Sequence, residues 1–167
     1  MLYRNLLIPC LIFVLMSAPV MAGNITLGYT SGPAKADDSS LFEDPAGYYL
    51  FIGNQTDYLL GFEFAILGMI ENPVYSNTGL GGTSLTATAT LPLGMVSLFV
   101  RAGMADWAVF ENDVLIDDGT TATYGAGLGF HFNKNWALRL EQQRFTKIGP
   151  TETDIAHTRF GVVYTFD

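Results

Sequence analysis

From residue 85 to the end, stretch after stretch of this chain alternates apolar residues with small or polar ones at a period of two. Leu85, Ala87, Ala89 and Leu91 alternate with Thr86, Thr88 and Thr90; Val96, Leu98, Val100, Ala102 and Met104 alternate with Ser97, Phe99, Arg101, Gly103 and Ala105. The pattern returns in Tyr124–Phe132 against Gly125, Gly127, Gly129 and His131, and in Trp136–Leu140 against Ala137, Arg139 and Glu141. It closes with Phe160, Val162, Tyr164 and Phe166 against Arg159, Gly161, Val163 and Thr165. Successive side chains of a strand point to opposite faces, so each stretch reads as a strand with one apolar face. Runs of about 9–11 such residues are what a tilted strand needs to cross a bilayer. Three more segments, Asn24–Thr30, Gly47–Asn54 and Tyr58–Met69, bring the count to eight. In the third, Tyr58, Leu60, Phe62, Phe64 and Ile66 share the apolar face and Glu63 falls on the other. The second is apolar on both faces, which leaves its orientation open.

Hydrophobic residues make up 49% of the chain, yet no run after residue 22 is long enough for a transmembrane helix. A closed barrel is the other structure that satisfies every backbone group in lipid. Residues 1–22 read as a cleavable signal peptide: Arg4, an apolar run from Leu6 to Met16 too short to span, then Ser17-Ala18-Pro19-Val20-Met21-Ala22, with cleavage after Ala22. Cys10, the only cysteine, lies in that segment, so residues 23–167 are expected to form one barrel domain without a disulfide. Loss of Arg4 leaves 7 Lys+Arg against 16 Asp+Glu, and that acidity argues against a nucleic-acid partner.

The connections alternate as well. Residues 31–46, 70–82, 106–120 and 146–154 read as long polar loops, and 55–57, 92–95 and 133–135 as short turns. Short periplasmic turns and longer external loops are the pattern of outer-membrane barrels, provided both termini are periplasmic. A lipocalin-like soluble barrel is the rival, but it points its apolar face inward. Here the charges and glycines share one face and the large aromatics the other, which suits lipid outside.

The last strand, Arg159-Phe160-Gly161-Val162-Val163-Tyr164-Thr165-Phe166-Asp167, resembles the C-terminal signal read by the outer-membrane barrel-assembly machinery, with Asp167 following the usual terminal Phe. The run Tyr124–Glu141 resembles the penultimate hairpin of the OmpA-type and OmpX-like barrels. The resemblance implies an all-β, eight-stranded antiparallel up-and-down transmembrane barrel with a side-chain-filled interior, placed in the outer membrane after export through the periplasm. It also implies an assembly role for Gly161, Tyr164 and Phe166, and no appended peptidoglycan-binding domain.

Strand parity puts Glu63, Arg101, Arg139, Glu141 and Arg159 in the lumen at similar heights, within a layer about 8 Å deep. OmpA-type barrels hold a comparable carboxylate–guanidinium cluster at mid-barrel. Charges buried this close together must pair, since isolated ones are costly. They serve either as a structural plug or as a switchable gate for a narrow ion path. Arg144 continues the lipid-facing parity of Trp136, Leu138, Leu140 and Gln142 to the rim, where it contacts a lipid phosphate or snorkels. Tyr29, Trp107, Tyr124, Trp136, Tyr164 and Phe166 suit interfacial girdles.

Twelve acidic residues fall in the long segments: Asp37, Asp38, Glu43, Asp44, Glu71, Asp106, Glu111, Asp113, Asp117, Asp118, Glu152 and Asp154. They form a solvated surface, a cation-bridged contact to lipopolysaccharide, or a patch facing a host or surface ligand. Asp113, Asp117 and Asp118 lack the spacing and glycine of a calcium loop, and neither metal nor cofactor is expected. Lipid A deacylases of this size carry a His and a Ser two apart on a lipid-facing strand; here His157-Thr158-Arg159 has no serine, and His131 has no evident acid partner. A structural or surface-interaction barrel is therefore favoured, a small low-conductance pore is the alternative, and a lipid A-modifying enzyme the weakest reading.

Overall fold

The computed structural model describes residues 23–37, 45–56, 59–70, 78–149 and 151–166. Eight strands follow in order: β1 Gly23–Ala36, β2 Ala46–Thr56, β3 Leu60–Ile70, β4 Thr78–Leu93, β5 Val96–Glu111, β6 Val114–His131, β7 Trp136–Ile148 and β8 Thr153–Phe166. Each pairs antiparallel with the next, and β1 pairs with β8 from Ile25↔Phe166 to Ala36↔Ile155, so the sheet closes into a barrel. The proposed signal segment, residues 1–22, lies outside the described residues, as do Asp38, Glu43, Asp44 and Glu71.

Burial follows the period of two read in the sequence. Leu27, Ile52, Phe62, Val100, Leu128, Leu140 and Phe160 are exposed on the outer face, while their neighbours in sequence turn inward. A surface of large apolar side chains on a closed barrel is a lipid-facing belt. Glycines line part of the inner face. A side chain at Gly127 would run into Phe99 and the Leu140 carbonyl, and one at Gly161 into the Tyr29 carbonyl on β1. Gly161 thus permits the close approach of β8 to β1 at the closure seam. The second strand, ambiguous in sequence, turns Tyr49 and Phe51 inward and Tyr48, Leu50 and Ile52 outward.

One expectation is corrected here. Over the described residues, the expected long loops are largely strand: Ser31–Ala36 continues β1, Thr78–Gly82 opens β4, and Asp106–Glu111 and Val114–Thr120 form a hairpin between β5 and β6. Beyond the membrane a strand's outer face meets water, so polar side chains there do not signal a loop. The β5–β6 turn is only Asn112-Asp113, with φ of 51° and 63°, the pair of left-handed residues a type I′ hairpin turn requires. What distinguishes the two ends is strand overhang. The end away from the termini (the distal end) carries the extended β4, β5 and β6, of 16, 16 and 18 residues.

At the terminal end the strands stop in tight turns. Asn133 Oδ1 accepts hydrogen bonds from the Asn135 and Trp136 backbone N–H groups, both at 2.9 Å, and Asn135 Nδ2 donates to the Thr165 carbonyl at 2.8 Å. The side chains replace backbone pairing in the β6–β7 turn and tie it to β8.

Candidate functional site

The five lumen charges predicted from parity converge. Glu63 on β3, Arg101 on β5, Arg139 and Glu141 on β7 and Arg159 on β8 are all buried. Glu63 receives Arg139 Nη1 on Oε1 at 2.8 Å and Arg101 on Oε2. Glu141 is the hub. Its Oε2 lies 2.9 Å from Arg139 Nε and 3.4 Å from Arg101 Nη2, and its Oε1 pairs with Arg159. Direct register makes the last pair local, because Glu141 and Arg159 are cross-strand partners on β7 and β8.

Side chains not singled out in the sequence complete the cluster. Gln143 Oε1 accepts from Arg159 and, at 3.4 Å, from Arg101, while its Nε2 donates to Thr123 Oγ1 at 2.6 Å. Tyr49 accepts from Arg101 Nη1 at 3.1 Å and sits 2.9 Å from Ser84 Oγ. Arg139 lies between the rings of Phe99 and Phe51, 4.1 Å and 4.7 Å from their centroids, and Arg159 lies 3.7 Å from that of Tyr49. Each guanidinium therefore meets carboxylate at its edge and aromatic ring at its face, the arrangement that suits a weakly hydrated planar cation out of water. Phe99 shares the parity of Arg101 and was in view. Tyr49 and Phe51 were hidden by the two-faced apolarity of β2.

Above this layer, toward the distal end, the lumen turns apolar. Leu67, Met69, Leu80, Trp107, Val109, Phe145, Ile148 and Ile155 are buried there with Ala34, Ala36, Ala65 and Ala105. Trp107 is thus a lumen residue, which corrects its assignment to the girdle; it shares the inward parity of Arg101 and Ala105. Tyr29, Tyr124, Trp136 and Phe166 are exposed on the outer face. Trp136, Tyr164 and Phe166 make an edge-to-face row, with centroids 4.8 Å and 4.7 Å apart.

Arg144 sits at the distal rim, outward of the lumen. It is held by two carboxylates, Asp37 and, through Nε at 3.1 Å, Asp154. The hydrogen bond it donates to Asp154 and the charge of Asp37 raise its pKa above the ordinary arginine value. A lipid phosphate has to compete with both carboxylates for this guanidinium.

His157 faces the lumen, fully buried, 3.2 Å from the Gly32 carbonyl, and Thr158 takes the outer face. His131 Nε2 lies 3.0 Å from Ser97 Oγ at the terminal end, a contact the sequence did not suggest. Among the described residues no three His, Cys, Asp or Glu side chains converge as metal ligands.

A closed antiparallel barrel with a lipid-facing apolar belt and a packed lumen holding a buried ion cluster defines a transmembrane β-barrel protein. The family model of the outer membrane protein beta-barrel domain matches residues 8–166, and the chain belongs to that family, in the outer membrane. No curated protein matches it in sequence. Among solved structures it is similar to Neisserial surface protein A, at 14% identity and TM-score 0.75, over 85% of this chain and 97% of that one. It is similar to Ail, the attachment invasion locus protein of Yersinia pestis, solved with the heparin analogue sucrose octasulfate, at 21% identity and TM-score 0.60, over 86% and 97%. The outer membrane enzyme PagL also has this fold, at 10% identity and TM-score 0.51, over 85% and 99%. The fold alone therefore leaves the chemistry open.

Proposed function

We propose that this protein is a closed, non-enzymatic surface-interaction barrel whose contact element is the β5–β6 hairpin. The observation that carries this reading is the composition of the hairpin. Phe110, Val114, Leu115 and Ile116 are exposed beyond the barrel, and Glu111, Asp113, Asp117 and Asp118 flank them. From Val114 to Ala122, among the described residues, β6 pairs only with β5, because its ladder with β7 starts at Thr123. An apolar tip ringed by carboxylates suits a partner that is apolar and basic.

In this reading the chain is exported by residues 1–22, matures at residue 23, and keeps its terminal end in the periplasm and its distal hairpins outside. Gly161, Tyr164 and Phe166 serve recognition by the barrel-assembly machinery. Two packed levels in the lumen, the ion cluster and the apolar layer above it, support closure and speak against the pore. His157 points away from lipid, and the residue two further on is Arg159 rather than a serine, which supports a non-enzymatic role. The polyanion seen with Ail is ill-matched to the acidic hairpins of this chain.

The test is binding of the refolded barrel to arrayed decapeptides, basic-apolar and acidic-apolar, with immobilised heparin alongside. Basic-apolar peptides should bind, and the Leu115→Ser, Ile116→Ser double variant should lose that binding while migrating as a folded barrel. Equal capture by heparin, or undiminished binding by the variant, contradicts the proposal.

A further inference from the structure

We propose that the terminal end of the lumen holds a small monovalent anion, in a vestibule beneath the ion cluster. The vestibule measures about 80 Å³ and is bordered by Thr26, Asn54, Thr90, Ser97, His131 and Thr165, with Glu63, Arg139 and Thr88 at its inner end. A cavity needs only about 10–15 Å³ to admit one water, so a halide fits together with water.

Three observations select an anion. First, the buried layer carries three guanidiniums, Arg101, Arg139 and Arg159, against two carboxylates, Glu63 and Glu141. One positive charge is left without a counter-charge, and burial makes that costly. Second, the wall supplies donors: five hydroxyls, a side-chain amide and an imidazole. Its one carboxylate, Glu63, already has both oxygens engaged by Arg139 and Arg101. Third, two groups bordering the vestibule keep unused hydrogen-bonding capacity. Arg139 Nη2 and Thr88 Oγ1 are buried without a partner among the described residues. Native proteins rarely leave such groups unsatisfied, and an anion, with water filling the remaining space, answers both the charge and the hydrogen bonds.

Ser97 marks the place. Its Oγ touches His131, and both border the inner face of Gly129, where a Cβ would collide with that Oγ. The glycine keeps the vestibule open at this height. The site does not depend on the surface role proposed above, since it lies at the opposite end of the barrel.

The experiment has two arms. Crystals of the refolded barrel soaked in sodium bromide should give an anomalous peak in contact with Ser97 and Arg139. In solution, bromide at constant ionic strength should raise the unfolding midpoint saturably, while sulfate, doubly charged against one uncompensated positive charge, should give only the non-saturating rise of a salt excluded from the protein surface. Ser97→Ala and Thr90→Val leave the five charges in place, and together they should weaken bromide binding by about tenfold, the loss of one or two hydrogen bonds. Ordered water in place of a peak overturns the proposal. So does a midpoint that follows all salts alike, or a peak whose solution effect survives both substitutions, which marks an adventitious ion only.

Discussion

Arg159 and Glu141 face each other as direct cross-strand partners on β8 and β7, with the Arg159 guanidinium 3.7 Å from the Tyr49 ring centroid on its far side. That relationship ties the closing strand to the barrel interior, and Glu141 extends it to Arg101 and Arg139.

Glu141→Ala should therefore be the most damaging single change in the lumen. It takes a carboxylate from three guanidiniums and leaves Arg159 with none, whereas Glu63→Ala takes one from Arg101 and Arg139, which still reach Glu141. Breaking a buried pair costs about 3–5 kcal/mol, and urea unfolding in detergent or lipid should place Glu141→Ala at or above the top of that range and Glu63→Ala below it. Equal or negligible losses contradict the hub assignment.

Exchanging partners should fail as a rescue. The contact between Glu63 and Arg101 is direct, but Glu63→Arg sets a guanidinium against Arg139, and Arg101→Glu sets a carboxylate against Glu141. The double variant should be no more stable than the worse single one. A clear recovery in the unfolding midpoint means that the pair acts alone.

Gly161→Val should block closure. Its side chain has to enter the space of the Tyr29 carbonyl and Thr30 Cα on β1, and overpacking against backbone costs at least about 1–3 kcal/mol. Tyr164→Ser, which breaks the row between Trp136 and Phe166, should lower outer-membrane levels through loss of the proposed assembly signal. Heat-modifiable migration and membrane fractionation separate the two: the first variant folds poorly even when refolded from urea, and the second refolds in vitro.

Most of the architecture was legible because lipid outside and close packing inside impose opposite demands on alternate residues. Glu63, Arg101, Arg139, Glu141 and Arg159 stood out as charges on the small-residue face. The misreadings have one physical origin, the change of solvent along a strand. Where β5 leaves the membrane, Asp106 takes the outer position and Trp107 the inner, so the rule that placed Met104 outside suggested a loop there and a girdle tryptophan. Tyr49 and Phe51 were illegible for another reason. They pack against arginines donated by β5, β7 and β8, and an aromatic chosen for its π-face looks in sequence like one chosen for lipid.

Accessibility should differ between the ends. Protease added to intact cells should cut at the exposed Asn112-Asp113 turn and spare residues 133–135 if the terminal end is periplasmic. Cleavage at 133–135 from outside reverses the proposed orientation.

In the proposed closed barrel the lumen is blocked by the ion cluster below and by the Leu67, Met69, Trp107, Phe145 and Ile155 layer above. Planar-bilayer recording of the refolded barrel tests it most directly. The wild type should stay at background, and so should Trp107→Ala, because the ion cluster still closes the bore. Steady conductance steps from the wild-type protein show an open path and contradict the account.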